Sequence, residues 1–124
     1  MQTKRLAKLL IKKYADAWIT RNPDAIVKIF TNDAKYYEGG LSRPFVGSDG
    51  IRKYWIKKVV GEESNIKFRL LNLYEEGNTA IAEWDASFKL VGEMKRIHIR
   101  EVAILKLRGG RIAELREYWD SEKL

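Results

Sequence analysis

The stretch IREVAILKLRGGRIAELREYWD, residues 99–120, decides the fold. Apolar and polar side chains alternate on both sides of Gly109 and Gly110, which is the pattern of two antiparallel strands joined by a tight turn. Two acidic residues, Glu101 and Glu117, fall in the apolar register of this hairpin. Because carboxylates are rarely buried without a partner or a function, these two residues pose the central question about the protein.

The hairpin also predicts a pairing between its strands. A three-residue turn over 108–110 would place Glu101 directly opposite Glu117, and Ile99 opposite Trp119. Directly opposed carboxyl groups have Cβ atoms about 5 Å apart, and in an apolar pocket the pKa of one of them should rise. A carboxyl group that stays protonated at neutral pH can donate a proton. The alternative is that one or both are solvated, or paired with an arginine, near the mouth of a cavity.

The rest of the chain predicts further strands after Gly61, where the apolar period changes from about 3.6 to 2. A turn centred on Gly92-Glu93 places the apolar side chains of the preceding strand on the same face as Glu101 and Glu117. The opposite face carries His98, near Asp85 or Glu83. The predicted strands cover 65–75, 78–90, 94–107 and 111–119.

Helices are predicted ahead of these strands. Residues 3–20 carry an apolar stripe at helical spacing, and Asn22-Pro23 begins a second helix over 23–30. A short strand over 34–38 and a loop over 39–47 follow, and Ser48 is expected to cap a third helix over 49–60. The order predicts one α+β domain over 1–124, in which a curved antiparallel sheet packs against three N-terminal helices.

Composition narrows the possible functions. The chain has no Cys and one His, which excludes disulfides and makes a zinc site improbable. The first residues predict a helix and not a signal peptide, so we expect a cytoplasmic protein. The net charge of +7 is typical of a solvated Lys/Arg surface. The weaker alternative is binding to nucleic acid or to an anionic membrane.

Three segments carry a resemblance to a known family: YADAWITRNPDAIVKIFTNDAKYYE (14–38), FVGSDGIRKYW (45–55) and AILKLRGGRIAELREYWD (103–120). Together they resemble the nuclear transport factor 2-like superfamily, in particular its ketosteroid isomerase and SnoaL-like members. The resemblance implies a cone in which a bent sheet and three helices enclose an apolar pocket open at one end. Because the superfamily includes several activities and non-enzymes, the resemblance is weak evidence for any one reaction.

The resemblance also implies roles for individual residues. Tyr14 lies where ketosteroid isomerases have the tyrosine that donates a hydrogen bond to the oxyanion, and Glu38 lies where they have the carboxylate that shuttles the proton. Their second oxyanion donor, an aspartate, is replaced by Ala103. Glu101, two residues earlier on the same face, could serve instead. A plain core tyrosine and a solvated carboxylate are the alternatives for Tyr14 and Glu38.

The predicted function is a cofactor-free acid–base enzyme of the isomerase or cyclase type, which transfers a proton next to a carbonyl of a hydrophobic substrate. The predicted catalytic residues are Glu38, Tyr14, Glu101 and Glu117. The residues predicted to contact substrate are Trp18, Tyr36, Trp55, Trp84, Phe88 and Trp119. No metal is expected. The alternative is a non-catalytic ligand-binding or dimerisation module of the same fold.

Apolar side chains among the charges of the outer sheet face predict a homodimer across that face. These side chains are Ile81, Val102, Ile104, Ile112 and Tyr118.

Overall fold

A computed structural model describes residues 3–124. The helices are α1 (Thr3–Ile19), α2 (Pro23–Val27) and α3 (Gly47–Trp55), and a π-helical segment over Ile56–Val60 follows α3 directly. The strands are β1 (Phe30–Tyr37), β2 (Phe45–Val46), β3 (Glu63–Glu76), β4 (Thr79–Leu90), β5 (Arg96–Arg108) and β6 (Arg111–Lys123). In the described part of the chain, no helix is long and apolar enough to cross a membrane.

The second helix is shorter than the sequence predicts, because the chain enters the sheet before the predicted end of the helix. The side chain of Asn22 accepts hydrogen bonds from the backbone N–H groups of Asp24 and Ala25, at 3.0 and 3.1 Å, as expected of an N-cap. The helix ends at Val27, before the predicted end at residue 30. Phe30 begins β1, where it pairs with Ile112 of β6, so sheet pairing replaces the last helical turn.

The third helix begins earlier than predicted. It begins at Gly47, after Val46 at the N-cap position, and no side chain caps it, so the predicted Ser48 cap is wrong. Gly47 has a φ of 72°, which glycine adopts without strain. Part of the predicted loop also forms β2, which pairs Phe45 with Tyr36 of β1.

The six strands form one mixed sheet in the order β2-β1-β6-β5-β4-β3. Strands β1 and β6 are parallel, and the other neighbours are antiparallel. The sheet curls but does not close, and its inner face packs against α1 and α3. This architecture confirms the predicted α+β cone. The turn centred on Gly92-Glu93 is also confirmed, because Lys89 pairs with Arg96 across it.

The predicted pairing of the last hairpin is wrong by two residues. The turn contains only Gly109 and Gly110, whose φ angles are 58° and 83°, so the loop has two residues and not three. An extra residue on β6 then makes a β-bulge, since Leu107 pairs with Ile112 but Lys106 pairs with Glu114. Together the short turn and the bulge displace the register by two.

The two-residue displacement changes the residues that Glu101 and Glu117 pair with, but not the face of the sheet on which they lie. Glu101 pairs with Trp119 and Glu117 pairs with Ala103, so the two acids are diagonal neighbours and not directly opposed. Ile99 pairs with Ser121. Both acids remain on the inner face, as predicted, because a shift of two residues preserves alternation. The bulge does bury Ile112, which therefore does not belong to the outer face.

Candidate functional site

A cavity of about 370 Å³ lies between the inner face of the sheet and the helices. Its walls are mainly aromatic and its polar groups mainly acidic. The aromatic side chains are Tyr14, Trp18, Tyr36, Tyr54, Trp55, Phe88 and Trp119. The acidic side chains are Glu38, Glu63, Glu101 and Glu117, and Lys58 also lines the cavity.

The structure brings together most of the residues that the sequence singled out. All four predicted catalytic residues line the cavity, and so do five of the six residues predicted to contact substrate. The exception is Trp84, which does not line it. Trp84 is buried in the core, where its ring centroid lies 5.4 Å from that of Tyr14 and 5.2 Å from that of Phe68.

Two tyrosines bind the Glu117 carboxylate. The hydroxyl of Tyr14, from α1, donates to Oε2 of Glu117 at 2.9 Å, and the hydroxyl of Tyr36, from β1, donates to Oε1 at 2.6 Å. The two hydroxyl oxygens lie 3.3 Å apart. Each carboxylate oxygen therefore has a short hydrogen bond, which favours the ionised form of Glu117.

Glu101 is the second member of this network. Burial raises the pKa of Glu101 well above its ordinary value, and the neighbouring Glu117 charge raises it further. Burial also raises the pKa of Glu117, but hydrogen bonds from Glu101, Tyr36 and Tyr14 oppose that rise. Glu101 is therefore the more strongly favoured site for a proton, whereas the hydrogen bonds to Glu117 favour its carboxylate. The Oε2 atom of Glu101 is buried without a hydrogen-bond partner among residues 3–124.

The tyrosines of the network stay protonated. Burial is the main cause that raises the pKa of both Tyr14 and Tyr36 well above the ordinary value, and the charge of Glu117 is the second. In this arrangement the Tyr14 hydroxyl donates to Glu117 and is not free for a substrate oxygen. An oxyanion role for Tyr14 would need that hydrogen bond to change partner.

Glu38 and Trp119 are two of the solvent-accessible residues that line the cavity. Glu38 directly follows β1 and is half-buried, with its Oε2 atom 3.4 Å from the hydroxyl of Tyr54. The indole N–H of Trp119 donates to the backbone carbonyl of Glu38 at 2.9 Å. Trp119 is 51% exposed, so it lies at the rim and not in the core.

Glu63 is a cavity residue that the sequence analysis missed. It is only 4% exposed, and its Oε1 atom accepts a hydrogen bond from the indole N–H of Trp18 at 2.7 Å. Burial raises the pKa of Glu63 to about 7, against the opposing effects of Trp18 and Lys58. No periodic signal identifies Glu63, because Asn65, with a φ of 53°, interrupts the alternation at the start of β3.

The outer face carries a separate ionic cluster. His98 lies 3.3 Å from Asp85 and 3.0 Å from Glu122, as expected for an outward position. Within residues 3–124, no group of three or more His, Cys, Asp or Glu side chains has the arrangement of a metal site.

Comparison with known proteins identifies the architecture. The family model described as the SnoaL-like domain matches residues 11–115. No curated protein sequence is significantly similar to the chain.

Many solved structures share the fold. An NTF2-like protein from Anabaena variabilis has a TM-score of 0.83 at 17% identity, covering 97% of this chain and 90% of its own. The epoxide hydrolase/cyclase-like enzyme SalBIII, from pyran ring formation in salinomycin, has a TM-score of 0.81 at 21% identity, with coverages of 97% and 95%. An LEH-like epoxide hydrolase from M. tuberculosis has a TM-score of 0.78 at 14% identity, with coverages of 96% and 86%. At these identities the similarity establishes the fold alone.

Proposed function

Since the chain belongs to the SnoaL-like domain family, we propose that it is a cofactor-free acid–base enzyme acting on a hydrophobic small molecule. The observation that carries this proposal is the pair of buried acids, Glu101 and Glu117, that lines the cavity, with the hydroxyls of Tyr14 and Tyr36 donating to Glu117 at 2.9 and 2.6 Å. A buried carboxyl group with a raised pKa in a cavity is a candidate proton donor.

The proposed reaction is proton transfer next to a carbonyl. Glu38 removes a proton from the carbon beside the carbonyl, and Glu101 gives its proton to the carbonyl oxygen, which produces an enol. When the enol collapses, Glu101 recovers its proton from the oxygen and Glu38 returns a proton to carbon. If the proton returns to a different carbon, the substrate is isomerised and both carboxyl groups are restored.

In this scheme Glu117 acts through Glu101. Its ionised carboxylate is bound by Tyr14 and Tyr36 at 2.9 and 2.6 Å, and it accepts the hydrogen bond that orients the Glu101 proton. When Glu101 gives up its proton, the hydrogen bonds from the two hydroxyls stabilise the negative charge of Glu117. They therefore reduce the repulsion between the two carboxylates.

The cavity favours a compact, largely apolar substrate. Its volume of about 370 Å³ lies in the range of small-molecule sites, and its aromatic walls suit a cyclic or conjugated body. Two similar structures are an epoxide hydrolase and an epoxide hydrolase/cyclase-like enzyme, so ring-opening and ring-forming reactions should be tested beside isomerisation.

The test is turnover of a panel of enolisable cyclic ketones and epoxides by the wild type and by single Glu→Gln variants. We expect turnover of at least one compound, and a loss of about 100-fold or more in Glu38→Gln and Glu101→Gln. Gln at 101 can still donate a hydrogen bond to Glu117 but cannot transfer a proton. Glu76→Gln, on the exposed end of β3, is the matched control and should retain wild-type turnover.

Two outcomes would contradict the proposal. Full activity in both Glu38→Gln and Glu101→Gln would exclude the acid–base roles. Absence of turnover across the whole panel would favour the alternative, a non-catalytic ligand-binding module.

A further inference from the structure

Glu63 has no role in the proposed reaction, yet its environment is unusual for a carboxylate. The side chain is buried, lines the cavity and receives one hydrogen bond, from the indole of Trp18 at 2.7 Å. Among residues 3–124, no Lys, Arg or His side chain forms an ion pair with it. Buried carboxylates are normally paired with a cation, so Glu63 lacks the partner that its burial calls for.

The nearest basic side chains are engaged elsewhere. The ammonium of Lys58, which also lines the cavity, pairs with Glu62 at 3.2 Å; its charge lowers the pKa of Glu63, but it forms no ion pair with that carboxylate. The guanidinium of Arg21 donates to the backbone carbonyls of Val60 and Glu63, at 3.5 and 3.3 Å, and not to the Glu63 carboxylate. A positive charge that pairs with Glu63 would therefore come from inside the cavity.

The charge of the cavity points the same way, although the protein as a whole is basic at +7. Four glutamates and one lysine line the cavity, so acidic side chains outnumber basic ones there. The aromatic walls add the electron-rich ring faces that attract cations. An anionic ligand would meet repulsion here, whereas an organic cation would meet both a carboxylate and ring faces.

We propose that the ligand of this cavity carries an organic ammonium group, and that buried Glu63 is its counter-ion. Because the ligand would occupy the same cavity as the substrate, the ammonium site rests on the proposed function and deepens it. The substrate class becomes an apolar amine whose carbonyl or ether oxygen reaches Glu101 while its ammonium reaches Glu63. The Trp18 indole positions Glu63 by donating to one oxygen, which leaves the other oxygen for the ligand.

Binding of three probes of similar shape and different charge tests the ammonium site without relying on turnover. The probes are phenyltrimethylammonium, its uncharged isostere tert-butylbenzene, and the anion benzenesulfonate, with dissociation constants measured by titration of the cavity tryptophan fluorescence. The quaternary ammonium keeps its charge at every pH, and at about pH 8 Glu63 is largely ionised. We expect the cation to bind about tenfold or more tightly than the isostere, and the anion to bind weakest.

Glu63→Gln is the decisive variant, because the Gln side-chain oxygen can still accept the Trp18 hydrogen bond while the charge is removed. We expect it to lose about tenfold in affinity for the cation and to bind the isostere unchanged. Glu76→Gln, which removes one exposed charge far along β3, should match the wild type. Unchanged tert-butylbenzene binding by Glu63→Gln also shows that the cavity has kept its shape.

Equal binding of the cation and the isostere by the wild type would overturn the ammonium site, and so would unchanged cation binding by Glu63→Gln. Either result could occur while a neutral ketone or epoxide is still turned over, in which case the acid–base function stands. A cation preference without turnover of any compound would instead remove the acid–base function and keep the ammonium site.

Discussion

Glu117 and Glu101 show how neighbours of one residue decide its protonation. Both carboxyl groups are buried on the same face of the sheet, but only Glu117 receives hydrogen bonds from two tyrosines. Those bonds favour its anion, and the charge of Glu117 in turn raises the pKa of Glu101. The asymmetry comes from Tyr14 and Tyr36, so two chemically identical side chains can take different roles.

The sequence predicts part of this arrangement. Alternation places Glu101 and Glu117 on the inner face, because period 2 is a local property of each strand. The hydrogen bonds that set the charges join residues 81 and 103 positions apart in the chain, Tyr36 and Tyr14 to Glu117. Such contacts depend on how α1 and β1 are placed against β6, which no local pattern encodes.

The raised pKa of Glu63 predicts how the free energy of unfolding depends on pH. Its pKa rises from an ordinary 4.5 to about 7 on folding, so between these values the folded protein holds more protons than the unfolded chain. The free energy of unfolding should therefore fall as pH rises through this interval. Burial of Glu101 and Glu117 acts in the same direction.

Urea unfolding from about pH 5 to about pH 8 measures this effect. Glu63→Gln should show a smaller fall than the wild type and should be the more stable of the two at the upper end, because it carries no ionisable group at that site. Glu76→Gln should follow the wild-type curve. Parallel curves for the wild type and Glu63→Gln would show that Glu63 titrates normally.

At the scale of single elements, the largest difference from the sequence prediction is the bulge in β6. The number of residues on each side of the turn predicts which residues pair. The extra residue near Ala113 shifts that pairing by one, and no distinctive residue type marks the bulge in the sequence. The shortening of α2 has a similar cause, since Phe30 is equally suited to a helix end or a strand start. Both depend on pairing with a distant strand.

The backbone conformation of the turn between β5 and β6 predicts the effect of replacing Gly110. Gly110 has a φ of 83°, and a Cβ added there would meet no atom within 4 Å. Gly110→Ala should therefore lower the free energy of unfolding by about 1 kcal/mol through backbone strain alone. Urea unfolding at neutral pH measures it.

Gly50 provides the matched control for that turn. It lies within α3, without a positive φ, and an added Cβ would stand at least 3.5 Å from its nearest neighbour, the Phe45 backbone. Gly50→Ala should be neutral or stabilising, by up to about 1 kcal/mol, because alanine is the better helix former. Equal effects at both glycines would contradict the role given to the turn.

At the scale of the whole molecule, the cone follows from the order of its elements. Three helices precede four long strands, and the helices cover one face of a sheet whose other face is charged. The sequence predicts this arrangement because it depends on the period and length of each segment. The cavity is less predictable, because it is the space that large aromatic side chains leave unfilled when they meet.

A homodimer through the outer face of the sheet remains a prediction. Exposed apolar side chains remain there among the charges, with Val102 paired to Tyr118 across β5 and β6 and 38% exposed. We expect the wild type to sediment as a dimer at micromolar concentration and Val102→Lys to sediment as a monomer. Val91→Lys, on an exposed turn, should stay dimeric. A monomeric wild type would contradict this prediction.

The protonation state of Glu101 is the claim on which the proposed activity depends. Carbon-13 NMR of protein labelled at the glutamate carboxyl groups measures it directly, because protonated and ionised carboxyl carbons resonate apart. As the pH is raised, the last glutamate carboxyl signal to leave the protonated range should be one that is absent from Glu101→Gln, because burial and the Glu117 charge raise the pKa of Glu101 well above its ordinary value. A wild-type spectrum in which the signal lost in Glu101→Gln titrates at the ordinary glutamate pKa would contradict the account.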